Sequence, residues 1–380
     1  MKRFLIILCL LAPVLSVAQH TVHGLVYDAE TNTPLPGANV FIANTTKGTS
    51  TNSEGAFTIT GLQAAPYQLV VQFVGYKTQV VNIDAAQHVR YAISLNVAAQ
   101  QLNEIVIRAK PISRIKRATY LRSFEEHFIG KADNAGRCTL ENPAILVLDK
   151  SGAILTAHTD TSLVLRNTGL GYRVKILLQT YQYNSAKAAL HYEGHMVYEP
   201  MIPESDQQKF RWAKNRLKAY YGSQMHFIRA LYNHKANEEG YFFTFPSTIK
   251  TDSVLRPLSK LFNNRRIRIP SILDYNKILD STSTAEKPII NLDGRLEINY
   301  INEGESVIFQ RTQRIRVQKS MQLSLMKSRA PAEILPDGRF YPVTAIEVSG
   351  YWSWELMSES LPLDYTPEED QKIVANHRNN

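Results

Sequence analysis

The stretch TVHGLVYDAETNTPLPGANVFIANTTKGTSTNSEGAFTITG, residues 21–61, alternates apolar and polar residues in short runs separated by turn formers. Val22, Gly24 and Val26 share one face of the first run, and residues 28–36 are rich in turn-favouring types. Runs at 38–43 and 56–60 follow, with Gly55 and Gly61 giving the backbone freedom that tight connections need. The same rhythm continues through 67–73, 77–83, 89–95 and 104–108. Short strands with turns at close spacing predict a seven-stranded β-sandwich over residues 19–108.

Gly24, Asp28, Thr31, Pro34-Leu35-Pro36-Gly37-Ala38, Val40, Gly48-Thr49, Thr51, Gly55-x-Phe57 and Gly75-Tyr76 together resemble the carboxypeptidase D regulatory-like domain. That resemblance implies a transthyretin-like fold, in a module that precedes many outer-membrane proteins of Gram-negative bacteria. Such a domain accompanies carboxypeptidases and is not itself the peptidase. Leu102-Asn103-Glu104-Ile105-Val106-Ile107 is similar to the segment leading into the plug of TonB-dependent receptors. The about 270 residues beyond it cannot supply the 22-stranded barrel of such a transporter.

Residues 1–18 read as a cleavable signal peptide. Lys2 and Arg3 precede an apolar run over 4–15, and Ser16-Val17-Ala18 places small residues at a cleavage site before Gln19. The run is shorter than the about 20 residues a membrane span needs, and no later segment is long and apolar enough. Cys9 follows Leu8 inside the leucine-rich run, which fits a signal core rather than an acylated cysteine. Removing Lys2 and Arg3 leaves 41 basic against 34 acidic residues, a mature net charge of +7. That excess suits anionic surfaces, while export argues against a nucleic-acid partner. Cleavage also leaves Cys138 alone, so no intramolecular disulfide forms, and a lone cysteine reads as a small buried apolar residue. The expected location is the periplasm or the outer membrane, without a transmembrane segment after cleavage.

With 380 residues and 44% hydrophobic content, the chain can bury more than one core. Residues 109–123 read as a basic linker broken by Pro111. Residues 124–365 read as a mostly-β domain with a helical pair near 205–233, and 366–380 as a frayed polar tail. Strands are expected at 144–149, 163–166, 172–183, 188–198 and 296–300, then again at 307–311. Pro336-Asp337-Gly338 marks a turn between two further strands. The blocks Phe128-Ile129-Gly130, Cys138-x-Leu140-x-Asn142-Pro143, Asn167-x-x-x-Gly171-Tyr172 and Trp212-x-x-Asn215-Arg216-x-x-x-Tyr220-x-Gly222-Ser223-x-x-His226-Phe227 resemble envelope proteins carrying this same N-terminal module. The resemblance implies an architecture and no activity.

Ser205 with Gln208 makes a capping box, Gly222 stops that helix, and Ser223 caps the next. Lys209, Arg211, Lys214, Arg216 and Lys218 lie on the flanks and back of the first helix. They form a solvated face or, as a binding site, a contact for phosphate or lipid headgroups. Trp352 and Trp354 suggest sugar stacking, but they share a strand face with Ile346, Val348 and Leu356, which reads as core. His191, Glu193 and His195 lie in a strand-like run that sets the histidines about 13 Å apart, too far to share one ion. The Ser-x-x-Lys matches, Ser113 with Lys116 and Ser247 with Lys250, lack the companion elements of a Ser-Lys hydrolase. No catalytic residue, metal ligand or cofactor is assigned. The expected function is binding or scaffolding in the cell envelope, toward an envelope protein, lipid headgroup or glycan. The alternatives are a hydrolase whose carboxylates do not declare themselves, which would show converging carboxylates with perturbed protonation, or a glycan-binding module.

Overall fold

A computed structural model describes residues 20–87, 89–98, 112–244, 274–275, 278–285, 287–313 and 320–378. The signal segment, the 104–108 strand, the basic stretch 250–268 and the Ser247–Lys250 pair lie outside the described residues. The chain is mainly β, in two compact units: residues 20–41 with 47–98, and residues 42–46 with the described residues from 112 onward.

In the first unit the period-2 pattern produces two sheets. One has the order β4 (Ala56–Leu62), β1 (His20–Asp28), β7 (Arg90–Leu95), with β1 and β7 parallel. The other runs β3 (Gly48–Ser50), β2 (Asn39–Ile42), β5 (Pro66–Gln72), β6 (Gln79–Asp84). The inward residues include Val22, Val26, Val40, Phe57, Ile59, Leu69, Ile93 and Leu95, all buried. Gly24 sits where any Cβ would lie 2.2 Å from the Tyr91 carbonyl oxygen and 2.7 Å from the Phe57 ring. Asp28 ties the turn after β1: its carboxylate accepts from the Glu30 and Thr31 amides, each at 2.8 Å, and from the Tyr76 hydroxyl at 2.7 Å. Those bonds favour the ionised form, the Thr31 amide most, and hold the carboxyl down to about 2. The sandwich thus has seven described strands, one of which, β3, is too short and polar to show in the alternation.

The second unit contains two cores. The first is built on strands β8 (Cys138–Leu140), β9 (Val147–Ser151), β10 (Ile154–His158), β11 (Leu163–Asn167), β12 (Tyr172–Asn184) and β13 (Ala189–Pro200). Their order is β8-β11-β12-β10-β9, with β13 along the other side of β12. Helix α1 (Arg114–Phe128) belongs to this core through Phe124 and Phe128, whose rings lie 4.7 and 6.1 Å from that of Tyr181. The 109–123 linker is therefore corrected from residue 114. Ser113 caps the helix by accepting from the Lys116 amide at 3.3 Å, which also accounts for that Ser-x-x-Lys match. Tyr120, Leu121, Phe124 and Phe128 recur at helical spacing, and a boundary drawn at Ser123 cuts that pattern in two.

Helices α2 (Asp206–Tyr220) and α3 (Gln224–Tyr232) start where the capping signals fall, with Ser205 and Ser223 accepting from the Gln208 and His226 amides. The second core packs α3 through Phe227, Ile228 and Leu231 against a sheet ordered β14 (Tyr241–Thr244), β16 (Arg295–Tyr300), β17 (Gln322–Ser328), β20 (Ile346–Gly350). A small sheet pairs β15 (Ile289–Ile290) with β18 (Ala332–Ile334) and β19 (Phe340–Tyr341), the last two joined across the Pro336-Asp337-Gly338 turn. The 307–311 strand is corrected to helix α4 (Val307–Thr312), capped by Ser306 accepting from the Phe309 amide at 3.2 Å. Alternation over five residues does not discriminate a strand from one helical turn, and here Phe309 and Gln310 are adjacent and both buried. The tail also folds, as α5 (Pro367–Arg378). No helix among the described residues is long and apolar enough to cross a membrane, which says nothing about strands.

Candidate functional site

The C-terminal end of α2 carries a cation beside a group of carboxylates, Asp133 exposed and the others half-buried. Lys218 Nζ lies 2.7 Å from Asp133 Oδ2 and 3.7 Å from Glu303 Oε1. Glu359 joins them on the turn after β20, its two oxygens accepting from the Asn134 amide at 2.8 Å and the Asn134 side chain at 2.6 Å. Glu355, one turn earlier, is half-buried and makes no hydrogen bond among the described residues. Burial raises all three glutamates. Glu303 is pushed up to about 7 although Lys218 opposes the shift, and Glu355 rises well above the usual range as Glu359, Glu303 and Asp133 add their charges. Glu359 rises less, since the Asn134 donors favour its ionised form. For Lys218, burial disfavours the charge, but Asp133, Glu303 and Glu359 outweigh it and raise the group.

Beside this cluster an aromatic group surrounds His226. Its ring lies 4.9–5.8 Å from the rings of Tyr220, Tyr221, Tyr241 and Tyr300. The Gly222 amide donates to Nδ1 at 3.2 Å and the Tyr241 hydroxyl lies 2.9 Å from the same atom. That assigns the ring proton to Nε2, which is 3.4 Å from Glu239 Oε2. Burial, then the Arg229 charge, pulls the imidazole down to about 4, so it is neutral at pH 7.

The raised Glu303 has a direct consequence for stability. Between its ordinary value of 4.5 and about 7, the folded chain holds a proton that the unfolded chain has lost. Its contribution is therefore greatest below pH 4.5 and is lost as pH rises through 7. Glu303→Gln is expected to raise stability by about 2 kcal/mol at pH 8, below the roughly 3 kcal/mol of the full shift because the recess is partly wet, and to change little at pH 4.5. Urea unfolding of both proteins at the two pH values measures this, and an equal effect at both would rule out the titration.

Two members of the expected basic face are thus engaged within the protein itself. Lys218 serves the carboxylates, and Arg216 pairs with Asp370 of α5, its Nε at 2.7 Å and Nη2 at 2.5 Å from the carboxylate oxygens. Lys209, Arg211 and Lys214 remain exposed. Arg216 faces packed neighbours, whereas the Lys218 side chain stays about half exposed beside its carboxylates. Trp352 and Trp354 are not on a strand, because β20 stops at Gly350 and a 3-10 turn follows. Trp352 is 6% exposed, stacks toward Phe227 at 5.2 Å and donates from Nε1 to the Gly222 carbonyl at 2.7 Å. Trp354 lies edge-on to Phe309 at 5.5 Å. Neither tryptophan is a free sugar platform. His191 and Glu193 pair at 3.3 Å on β13, where His195 is buried. Cys138 is half-buried, and burial, then the Glu359 charge, pushes its thiol up to about 12, so it is no nucleophile at neutral pH.

The carboxylate cluster left no local mark in the sequence, since its members come from four separate segments. The Trp212 block did leave one, and its role is internal. Trp212 packs on Gly171 and donates to the Thr168 carbonyl at 2.8 Å; Asn215 donates to Gly169 and Arg216 to Leu170. Asn167 holds the same loop by accepting from the Gly169 and Leu170 amides, each at 3.0 Å.

No curated protein matches the chain. Among solved structures, two interface mutants of a type II cohesin–X-dockerin complex from Acetivibrio cellulolyticus align with 20% of this chain. One is 24% identical over 58% of that chain with a TM-score of 0.19, the other 27% over 51% with 0.17. A candidate carbohydrate binding protein from Bacteroides uniformis is 12% identical over 41% of this chain and 56% of that one, with a TM-score of 0.18. The alignments span little more than half of those chains, and at these scores they carry no inference. The model of the CarboxypepD_reg-like domain matches residues 22–107, so the β-sandwich that opens the described chain is a domain of that family.

Proposed function

We propose that the chain is an exported, non-enzymatic binding or scaffolding protein of the cell envelope. The observation that carries this reading is the match of residues 22–107 to the CarboxypepD_reg-like domain, directly after a sequence with the organisation of a cleavable signal. The internal use of the Trp212 block supports it as well, because those polar groups are satisfied by the protein's own backbone and leave recognition to outer surfaces. Cell fractionation with intact-mass analysis, followed by cross-linking in intact cells, tests the proposal. Expected are a mature chain starting at Gln19 in the envelope or periplasmic fraction and cross-links to a recurrent envelope component. An uncleaved chain in the cytoplasm would overturn it.

A second reading, acid–base chemistry on an envelope glycan or peptide, is favoured by the convergence of Glu303, Glu355 and Glu359 with Glu303 titrating near neutrality. Release of fragments from purified cell wall by the parent, lost in a folded Glu303→Gln variant, would displace the binding reading in its favour.

A further inference from the structure

Helix α1 has an outward face that the fold does not explain. Its inward face holds Tyr120, Leu121, Phe124 and Phe128, packed in the first core of the second unit. At 100° per residue, Ile115 points to the opposite pole, with Thr119 and Arg122 above it and Arg114 and Lys116 on either side. Ile115 is 81% exposed. Arg114, Lys116 and Arg122 are exposed too, and none makes an ion pair or side-chain hydrogen bond among the described residues. Arg117, between them, is accounted for: its guanidinium donates to the carbonyls of Leu146, Pro143 and Ala144 at 3.0–3.1 Å. Glu126, further along the outward face, is tied to Lys131.

The arrangement runs against what helix stability favours. Residues 114–122 contain no carboxylate, and Arg114 and Lys116 sit in the first turn, at the positive end of the helix dipole, where acidic residues would be stabilising. An exposed isoleucine among them stabilises nothing in the fold. Both features fit one external partner, a surface that is negative at its face and apolar just beneath. Cations then meet phosphates while the aliphatic side chain enters the acyl boundary.

We propose that the outward face of α1, centred on Ile115 and flanked by Arg114, Lys116 and Arg122, docks the protein on an anionic phospholipid bilayer. This rests on the envelope reading for its setting and moves the headgroup contact from α2 to α1. The test is sedimentation of the mature full-length chain with vesicles of phosphatidylglycerol and phosphatidylcholine, and with phosphatidylcholine alone. Binding is expected to the anionic vesicles only, weakening as salt rises. The triple change Arg114→Gln, Lys116→Gln, Arg122→Gln should lower affinity on the order of 100-fold, at roughly 5-fold per cation. Ile115→Ser should lower it roughly 10-fold with every charge intact, which a purely electrostatic contact would not show. Changing Lys209, Arg211 and Lys214 to glutamine should leave binding within about 2-fold. Absence of binding by the parent, equal binding to neutral vesicles, or an α2 variant as damaging as the α1 triple would overturn the proposal. A chain that binds vesicles but is not exported would overturn the envelope reading alone, because the vesicle assay does not depend on export.

Discussion

Trp212→Ala is expected to cost about 3–5 kcal/mol, a sizeable share of the stability of a typical domain. The indole is 4% exposed and fills the space over Gly171, where even a Cβ would lie 2.5 Å from its ring atoms. Truncation would leave a large cavity and strip the Thr168 carbonyl of its Nε1–H donor. Both losses fall on the loop between β11 and β12, so the damage spreads to the strands that carry the first core. Lys214→Gln, only two residues along the same helix but on its exposed side, should change stability by less than about 0.5 kcal/mol. At about 2–4 °C per kcal/mol for a unit of this size, the tryptophan variant should melt roughly 10 °C lower. Thermal unfolding of the two single variants separates the cases, and a near-neutral Trp212→Ala would mean that α2 is not seated on the 167–172 loop.

The sequence shows most clearly those parts of the fold whose signals are local. The sandwich follows from period-2 alternation and turn residues close together in the chain, and the helical pair from Ser205, Gly222 and Ser223, each acting within four residues. What escaped is what depends on distant partners. Asp133, Lys218, Glu303 and Glu359 stand far apart in the chain, and each alone looks like an ordinary surface charge. Nothing at position 303 announces that its carboxyl will be buried beside a lysine 85 residues earlier, so the site had to await the structure. The two ends of the second unit do carry local signals. Phe124 and Phe128 continue the apolar stripe of α1 across the supposed linker, and Pro367-Glu368-Glu369-Asp370 carries the proline and acidic first turn of a helix start.

That C-terminal helix gives the second large expectation. Asp370 is 3% exposed and accepts both prongs of Arg216 together with the Tyr365 hydroxyl at 3.0 Å. Arg216 in turn donates to the Leu170 carbonyl and lies over the Tyr172 ring at 5.8 Å, so the pair clamps α5 and α2 to the same loop that Trp212 covers. Removing one partner leaves a buried, unpaired charge, and Arg216→Ala is expected to cost about 3–5 kcal/mol. Arg216→Lys should recover little, because a single ammonium cannot reproduce the two-pronged contact or the stacking on Tyr172. The double change Arg216→Met with Asp370→Leu removes both charges and keeps the volume, and it should be markedly more stable than either single charge removal. A frayed tail predicts something quite different: deletion of residues 367–380 would then be nearly neutral. With α5 packed as described, that deletion exposes the guanidinium and the Phe210 ring that stacks on His377 at 4.0 Å, and it should destabilise at least as much as Arg216→Ala. Urea midpoints for the parent, Arg216→Ala and the truncated chain decide between the two accounts, and a truncated chain as stable as the parent would return residues 367–380 to the status of a tail.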